Sequence, residues 1–357
     1  MSVSCGIIGR PSVGKTELFN LLTGRASQGE ITTGTAAIPD VRLDFLARIY
    51  NPKKVTHAGI EMVDIPGLNL SDRNTNNTQR KFLEAVRKVD ALVHVVRAFA
   101  DESVWHVDGR VDVKRDLDII NTELIFHDLE LVETRIERIE EMRKKGLRDN
   151  EAELAALLKC REVLEDEKPL DMGVFSEHER ENLRHIEFLT SKPVIIALNV
   201  DADQLETLDY PGRADVFSWA EAMGHKVFEI AVELEKEIKE LEAEEQEAFL
   251  LALGIEEPSM AKLARAVYSR LGLISFLTVG KDEVRAWTIR EGTKAKQAAG
   301  KVHTDIERGF IRAEVISFED FSACGTEKTA KEKGLYRLEG KDYQVRDGDI
   351  INFRFNV

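Results

Sequence analysis

The sequence predicts an α/β protein: a doubly wound, mostly parallel sheet with a helical coiled-coil hairpin inserted into it, followed by a small α+β domain. Three observations predict it. Near the start, Gly9-Arg10-Pro11-Ser12-Val13-Gly14-Lys15-Thr16 fits the phosphate-loop pattern G-x-x-x-x-G-K-[ST] and lies between an apolar run and a helical run. Further short apolar runs alternate with helical patterns as far as Ile230. Past Gly272 the pattern becomes short strands punctuated by glycines.

Taken in order, Val3–Ile8 reads as a buried strand and Glu17–Leu22 as the helix behind the glycine loop. Gly59–Asp64, Ala91–Arg97, Lys192–Asn199 and the shorter Val227–Ile230 read as further strands. Between the second and third of these, Leu129, Val132, Ile136, Ile139 and Met142, then Leu154, Leu157 and Leu164, recur at helical spacing among dense charges. A tip turn at Lys145–Asn150 makes this stretch, Leu117 to Asp166, an antiparallel hairpin expected to project as an arm. Glu233 to about Leu273 is helical, its acidic run to Glu247 a solvated face. The last strands are Ser275–Val279, Arg285–Ile289, Phe310–Val315 and Ile350–Phe355. The expected domains are therefore 1–116 (first part of the nucleotide-binding domain), 117–185 (helical insertion), 186–274 (second part) and 275–357 (C-terminal domain).

The chain has 357 residues, room for two or three domains, and a formal net charge of −15. Such an acidic chain does not bind nucleic acid over its whole surface, so any RNA contact must be a local basic face. Arg285, Arg312 and Arg354 are candidates for one. The cysteines, Cys5, Cys160 and Cys324, are three, far apart and without metal-ligand spacing, which suits a reducing compartment without disulfides. No signal peptide or membrane span is expected. His303 reads as structural, and Trp105, Trp219 and Trp287 as core or interface residues.

The chemistry suggested by the loop is the cradling of phosphates by backbone N–H groups and a helix N-terminus. Lys15 would reach the outer phosphates and Thr16 would hold Mg²⁺. Asp64-Ile65-Pro66-Gly67 fits D-x-x-G at a strand end: Asp64 would hold Mg²⁺ through water, and the Gly67 N–H would sense the γ-phosphate. Asn199-Val200-Asp201-Ala202-Asp203 stands where a guanine-reading N-K-x-D loop would, but Ala202 lacks an acceptor; Asp203 substitutes only if the loop shifts by one residue. The backbone near Ala231 is placed to meet the base edge. The expected nucleotide-binding set is Gly9, Ser12, Val13, Gly14, Lys15, Thr16, Glu17, Asn199, Val200 and Ala231. The expected catalytic groups are Lys15 and Gly67, and the metal ligands Thr16 and Asp64.

These elements in this order resemble the YchF-type, or Obg-like, P-loop ATPase/GTPases of the translation-factor class. The resemblance covers nearly the whole chain and is sharpest in Glu283–Thr288, His303–Asp305, Gly309–Val315, Leu338–Tyr343 and Phe353–Val357, which look like that family's TGS domain; Ile120–Leu124 and Pro39–Asp44 also match. It implies a ubiquitin-like β-grasp fold at the C-terminal end and a cytoplasmic, ribosome-associated nucleotide hydrolase that contacts ribosome or RNA through the helical arm and the TGS-like domain. Family members often prefer ATP because their base loop ends in glutamate, the position of Ala202 here. The chain also departs from the family at Ser12 and Thr16, where asparagine and serine are usual. It is shorter before Pro39, so that the switch threonine falls near Gln28; Thr32, Thr33 and Thr35 are the candidates to replace it. A glycine-rich loop is replaced by Asn69–Gln79. Leu68 occupies the position where many GTPases carry a water-positioning glutamine, as hydrophobic residues do in the family, which implies slow intrinsic hydrolysis. The expected function is binding of ATP or GTP with slow Mg²⁺-dependent hydrolysis coupled to ribosome or RNA association; the alternative is a hydrolysis-poor nucleotide-binding scaffold.

Overall fold

The computed structural model describes residues 3–69, 75–145, 150–253 and 257–356. The strands are β1 (Ser4–Ile8), β2 (Thr32–Ala37), β3 (Lys54–Thr56), β4 (Gly59–Asp64), β5 (Ala91–Arg97), β6 (Val194–Asn199), β7 (Lys226–Ile230), β8 (Leu273–Thr278), β9 (Glu283–Arg290), β10 (Phe310–Ser317), β11 (Arg337–Glu339) and β12 (Asp349–Phe355). By its internal contacts the chain divides into two units, one of residues 1–34 and 61–260, the other of 35–60 and 261–357.

The first unit holds β1, β5, β6, β7 and most of β4 from the sheet ordered β2-β4-β1-β5-β6-β7. The pairs β1–β4, β1–β5, β5–β6 and β6–β7 are parallel. Strands β1, β5 and β6 are buried along their whole length, which is why they read as unbroken apolar runs. The long helix Val113–Lys144 serves two cores. Its early residues Leu117, Ile120 and Leu124 pack with the sheet residues Val96, Ile196 and Leu198. Its later residues Val132, Ile136 and Ile139 pack with Leu154, Leu157 and Leu164 of the helix Glu151–Glu165, and with Leu183 and Phe188. With 32 residues it is about 48 Å long at 1.5 Å per residue. The second half of the hairpin thus has its own core, separate from that of the sheet. Asp128 staples the helix where the two cores meet: buried, it accepts hydrogen bonds from Leu189 N (2.9 Å), Thr190 N (2.8 Å) and Thr190 Oγ1 (2.8 Å). The expected tip turn lies mostly outside the described residues. Of the segment Asn69–Gln79, 70–74 lie outside them, and a helix begins at Thr75.

The second unit carries a mixed sheet ordered β11-β10-β12-β8-β9-β3. Its core joins Phe276, Ala295, Ala298, Val315, Ile351 and Phe353. Residues 35–60, expected in the nucleotide-binding part, belong to this unit. β3 pairs in parallel with β9, Arg42 bonds Asp347 at 2.7 Å, and the rings of Phe45 and Tyr50 meet those of Phe318 and Phe321. These partners lie more than 200 residues away, beyond the reach of any local pattern. His303 caps the helix Thr304–Arg308, its Nδ1 accepting from Asp305 N. Trp219 is buried and Trp287 stacks on Phe276, whereas Trp105 is exposed. Cys5, Cys160 and Cys324 are free thiols. No helix among the described residues is long and apolar enough to cross a membrane.

Candidate functional site

The loop between β1 and the helix Lys15–Thr23 is shaped by close packing. Gly14 is the helix N-cap at φ +95°, and a Cβ there would stand 2.6 Å from Asn199 Nδ2. The N-cap offers no side-chain acceptor, so no N-cap side chain occupies the first-turn N–H groups, the arrangement of an anion-binding helix start. Lys15 is buried and its Nζ donates to Arg10 O at 2.7 Å. Burial pushes its pKa down to about 8, against the pull of Asp64 and Glu17. Gly67 closes over the loop: a Cβ there would lie 2.8 Å from Pro11 N and 2.9 Å from Lys15 Nζ. The two expected catalytic groups are therefore neighbours. The next residue, Leu68, turns its side chain into the sheet core.

Thr16 Oγ1 donates to Asp64 Oδ2 at 2.9 Å, joining the two expected metal ligands. Ser27, which no sequence pattern marked, donates to the same oxygen at 2.9 Å. Its N–H is held by Asn20 Oδ1 of the phosphate-loop helix (2.8 Å), and its hydroxyl bonds Thr32 Oγ1 (3.1 Å). Of the threonines left open, Thr32 is thus the one joined to this cluster. Two hydroxyls around a carboxylate form a hard-oxygen donor set, which fits Mg²⁺.

Beside the loop lies a cavity of about 770 Å³, lined by Ser12, Gly14, Glu17, Asn199, Val200 and Glu233, and by the loop that follows β5. Buried Asn199 bridges two walls: its Nδ2 donates to Val13 O (3.0 Å) and its Oδ1 accepts from Val232 N (3.3 Å). Val13 and Ala231 are buried and do not line the cavity; they contribute as Asn199's acceptor and as the N-cap of the helix Val232–Glu240. Ala202 and Asp203 begin a helix capped by Asp201 and lie exposed outside the lining. Asp203 therefore does not reach the cavity in this structure.

Sequence reasoning missed the loop Phe99–Val104, whose Phe99, Asp101, Glu102 and Val104 line the cavity. It is held by Arg97, buried at the end of β5, which donates to Phe99 O (3.0 Å), Asp101 O (2.9 Å) and Val104 O (3.0 Å) and lies over the Phe99 ring. The available signal was an arginine ending a mostly apolar strand, since a buried guanidinium needs acceptors close by. Ser103 holds the Asp101 carboxyl below its usual range by hydrogen bonds from its hydroxyl and its N–H. His94 in β5 is pushed down to about 3, mainly by burial, then by His225 and Lys15, and is neutral.

A family model described as a 50S ribosome-binding GTPase matches residues 4–145. The YchF-GTPase C-terminal model, described as a protein of unknown function, matches residues 273–356. The chain is 41% identical over 368 residues to the ribosome-binding ATPase YchF of Bacillus subtilis (strain 168), covering all of both chains. It is 36% identical over 370 residues to the Obg-like ATPase 1 of Bos taurus, covering all of this chain and 93% of that one. The structure of the Schizosaccharomyces pombe YchF GTPase superposes with a TM-score of 0.88 at 32% identity, covering 99% of this chain and 98% of that one.

Proposed function

The chain belongs to the YchF family of P-loop ATPases and GTPases, and from that membership we propose that it binds a purine nucleoside triphosphate with Mg²⁺, hydrolyses it slowly, and associates with the ribosome in the cytoplasm. The observation that carries this reading is the convergence of Lys15, Gly67, Thr16 and Asp64 at one end of the phosphate loop. Lys15 neutralises charge on the outer phosphates, and the Gly67 N–H meets the γ-phosphate. Thr16 and Asp64 would hold Mg²⁺, with Ser27 orienting Asp64; the ion, when bound, supplies charge neutralisation on the phosphate oxygens. Leu68 is committed to the core and cannot orient the attacking water, so intrinsic turnover is slow.

The partner surface in this reading is the helical hairpin and the C-terminal sheet. There Arg312 and Arg354 stand opposite each other on β10 and β12; Arg312 is exposed, and Arg354 pairs with Glu314. Arg285 stacks on Trp287. Single-turnover hydrolysis with and without ribosomes tests the enzymatic reading. A rate indistinguishable from the Lys15→Ala variant in both conditions would leave a nucleotide-binding scaffold instead. Co-sedimentation with ribosomes should depend on bound nucleotide and fall as salt rises, because neutralised phosphates release counterions. Arg312→Glu should weaken it. A point substitution is the better probe here, since removing the chain from Ser275 onward would also strip β3 of its partner β9.

A further inference from the structure

Arg10, the second residue of the phosphate loop, is almost wholly buried, with a side-chain exposure of 2%. A buried guanidinium is retained at a cost unless its donors are matched, so where they go is informative. One terminal nitrogen donates to Leu68 O at 2.8 Å and the other to Asp108 Oδ2 at 3.0 Å, while Nε has no partner among the described residues. Leu68 N in turn donates to Gly9 O at 3.1 Å. Both polar backbone groups of the residue after Gly67 are thereby held by Gly9 and Arg10.

The network continues beyond Asp108. Asp108 N donates to His106 Nδ1 (3.2 Å), and His106 Nε2 meets Asp116 Oδ2 at 3.1 Å. Arg115 bonds Asp116 Oδ1 at 3.1 Å and lies 3.6 Å from Asp108. Asp116 is buried in the first turn of the long helix Val113–Lys144. A continuous polar path therefore runs from the γ-phosphate turn, through the phosphate loop, to the root of the helical hairpin.

We infer that Arg10 is a positioning residue for hydrolysis, fixing the Gly67–Leu68 backbone against the phosphate loop and tying its position to the root of the long helix through Asp108. The planar guanidinium moves its two bonds together, so a shift of Leu68 toward a γ-phosphate is felt at Asp108. Lysine, a compact charge on a flexible stem, does not present its donors in that rigid fork. This inference rests on the nucleotide-hydrolase reading above.

The test uses the full chain and variants Arg10→Met, Arg10→Lys and Asp108→Asn. Triphosphate affinity, single-turnover rate, and amide hydrogen exchange over residues 106–118 with and without a non-hydrolysable ATP analogue are measured together. Arg10→Met should slow the single-turnover rate by about tenfold or more, the scale expected for a misplaced reacting geometry. Arg10→Lys should not restore it. Asp108→Asn should slow the rate by at least about threefold, keep affinity within about twofold, and lose the nucleotide-dependent change in exchange at 106–118. A parental rate in Arg10→Met, or an exchange change that is absent from the parent or survives Asp108→Asn, overturns the inference. If Arg10→Met does not fold, Asp108→Asn decides alone on rate and exchange. A parent that binds no triphosphate fails the functional reading itself; a parent that binds and hydrolyses but shows no exchange change fails only the positioning role.

Discussion

Lys15 makes nucleotide affinity depend on pH in a calculable way. Burial lowers its pKa from the ordinary lysine value of 10.5 to about 8 in the nucleotide-free protein. A triphosphate against the ammonium favours the charged form, so the pKa rises on binding and a proton is taken up. The sign follows: the contact is fully available well below pH 8 and is lost as pH rises through the free-state value. The protonated fraction falls from about 0.76 at pH 7.5 to about 0.09 at pH 9, so the Kd should weaken by about eightfold over that interval, near 1.3 kcal/mol. The phosphates are already ionised there, since their last pKa lies near 6. The assay is a titration with a non-hydrolysable ATP analogue at constant ionic strength and saturating Mg²⁺, repeated on Lys15→Ala. That variant should bind about ten- to a hundredfold more weakly at pH 7.5, having lost a charge-assisted contact, and should show no slope. A parental Kd that does not change between pH 7.5 and 9, or the same slope in Lys15→Ala, would refute the assignment of Lys15 to the phosphates.

Two further outcomes follow from the cavity beside the phosphate loop. Asn199→Ala leaves Val13 O and Val232 N without their buried partner, and should cost about 2–4 kcal/mol in urea unfolding together with nucleotide affinity; an unchanged midpoint counts against its bridging role. ATP and GTP affinities should differ by less than about tenfold, because Ala202 and Asp203 stand outside the lining; a hundredfold preference in competition would point to a reader within Phe99–Val104.

What the sequence by itself determined is the chemistry written in contiguous residues. The phosphate loop needs its glycines, lysine and threonine on one turn, and D-x-x-G needs its aspartate at a strand end. Both patterns are local, as are the apolar runs of β1, β5 and β6, whose burial on both faces makes them legible. Tertiary structure alone decided the rest. Strand β3 has three residues and no apolar pattern; it is a strand because β9 pairs with it. Ser27 carries no signature, and only the fold brings its hydroxyl to Asp64. Arg10 occupies a variable position of the loop pattern, and its role depends on Leu68 and Asp108, 58 and 98 residues away. A motif records which atoms touch the ligand. The groups that hold those atoms in place are recruited from wherever packing delivers them, and a buried polar group must be satisfied by whatever stands there.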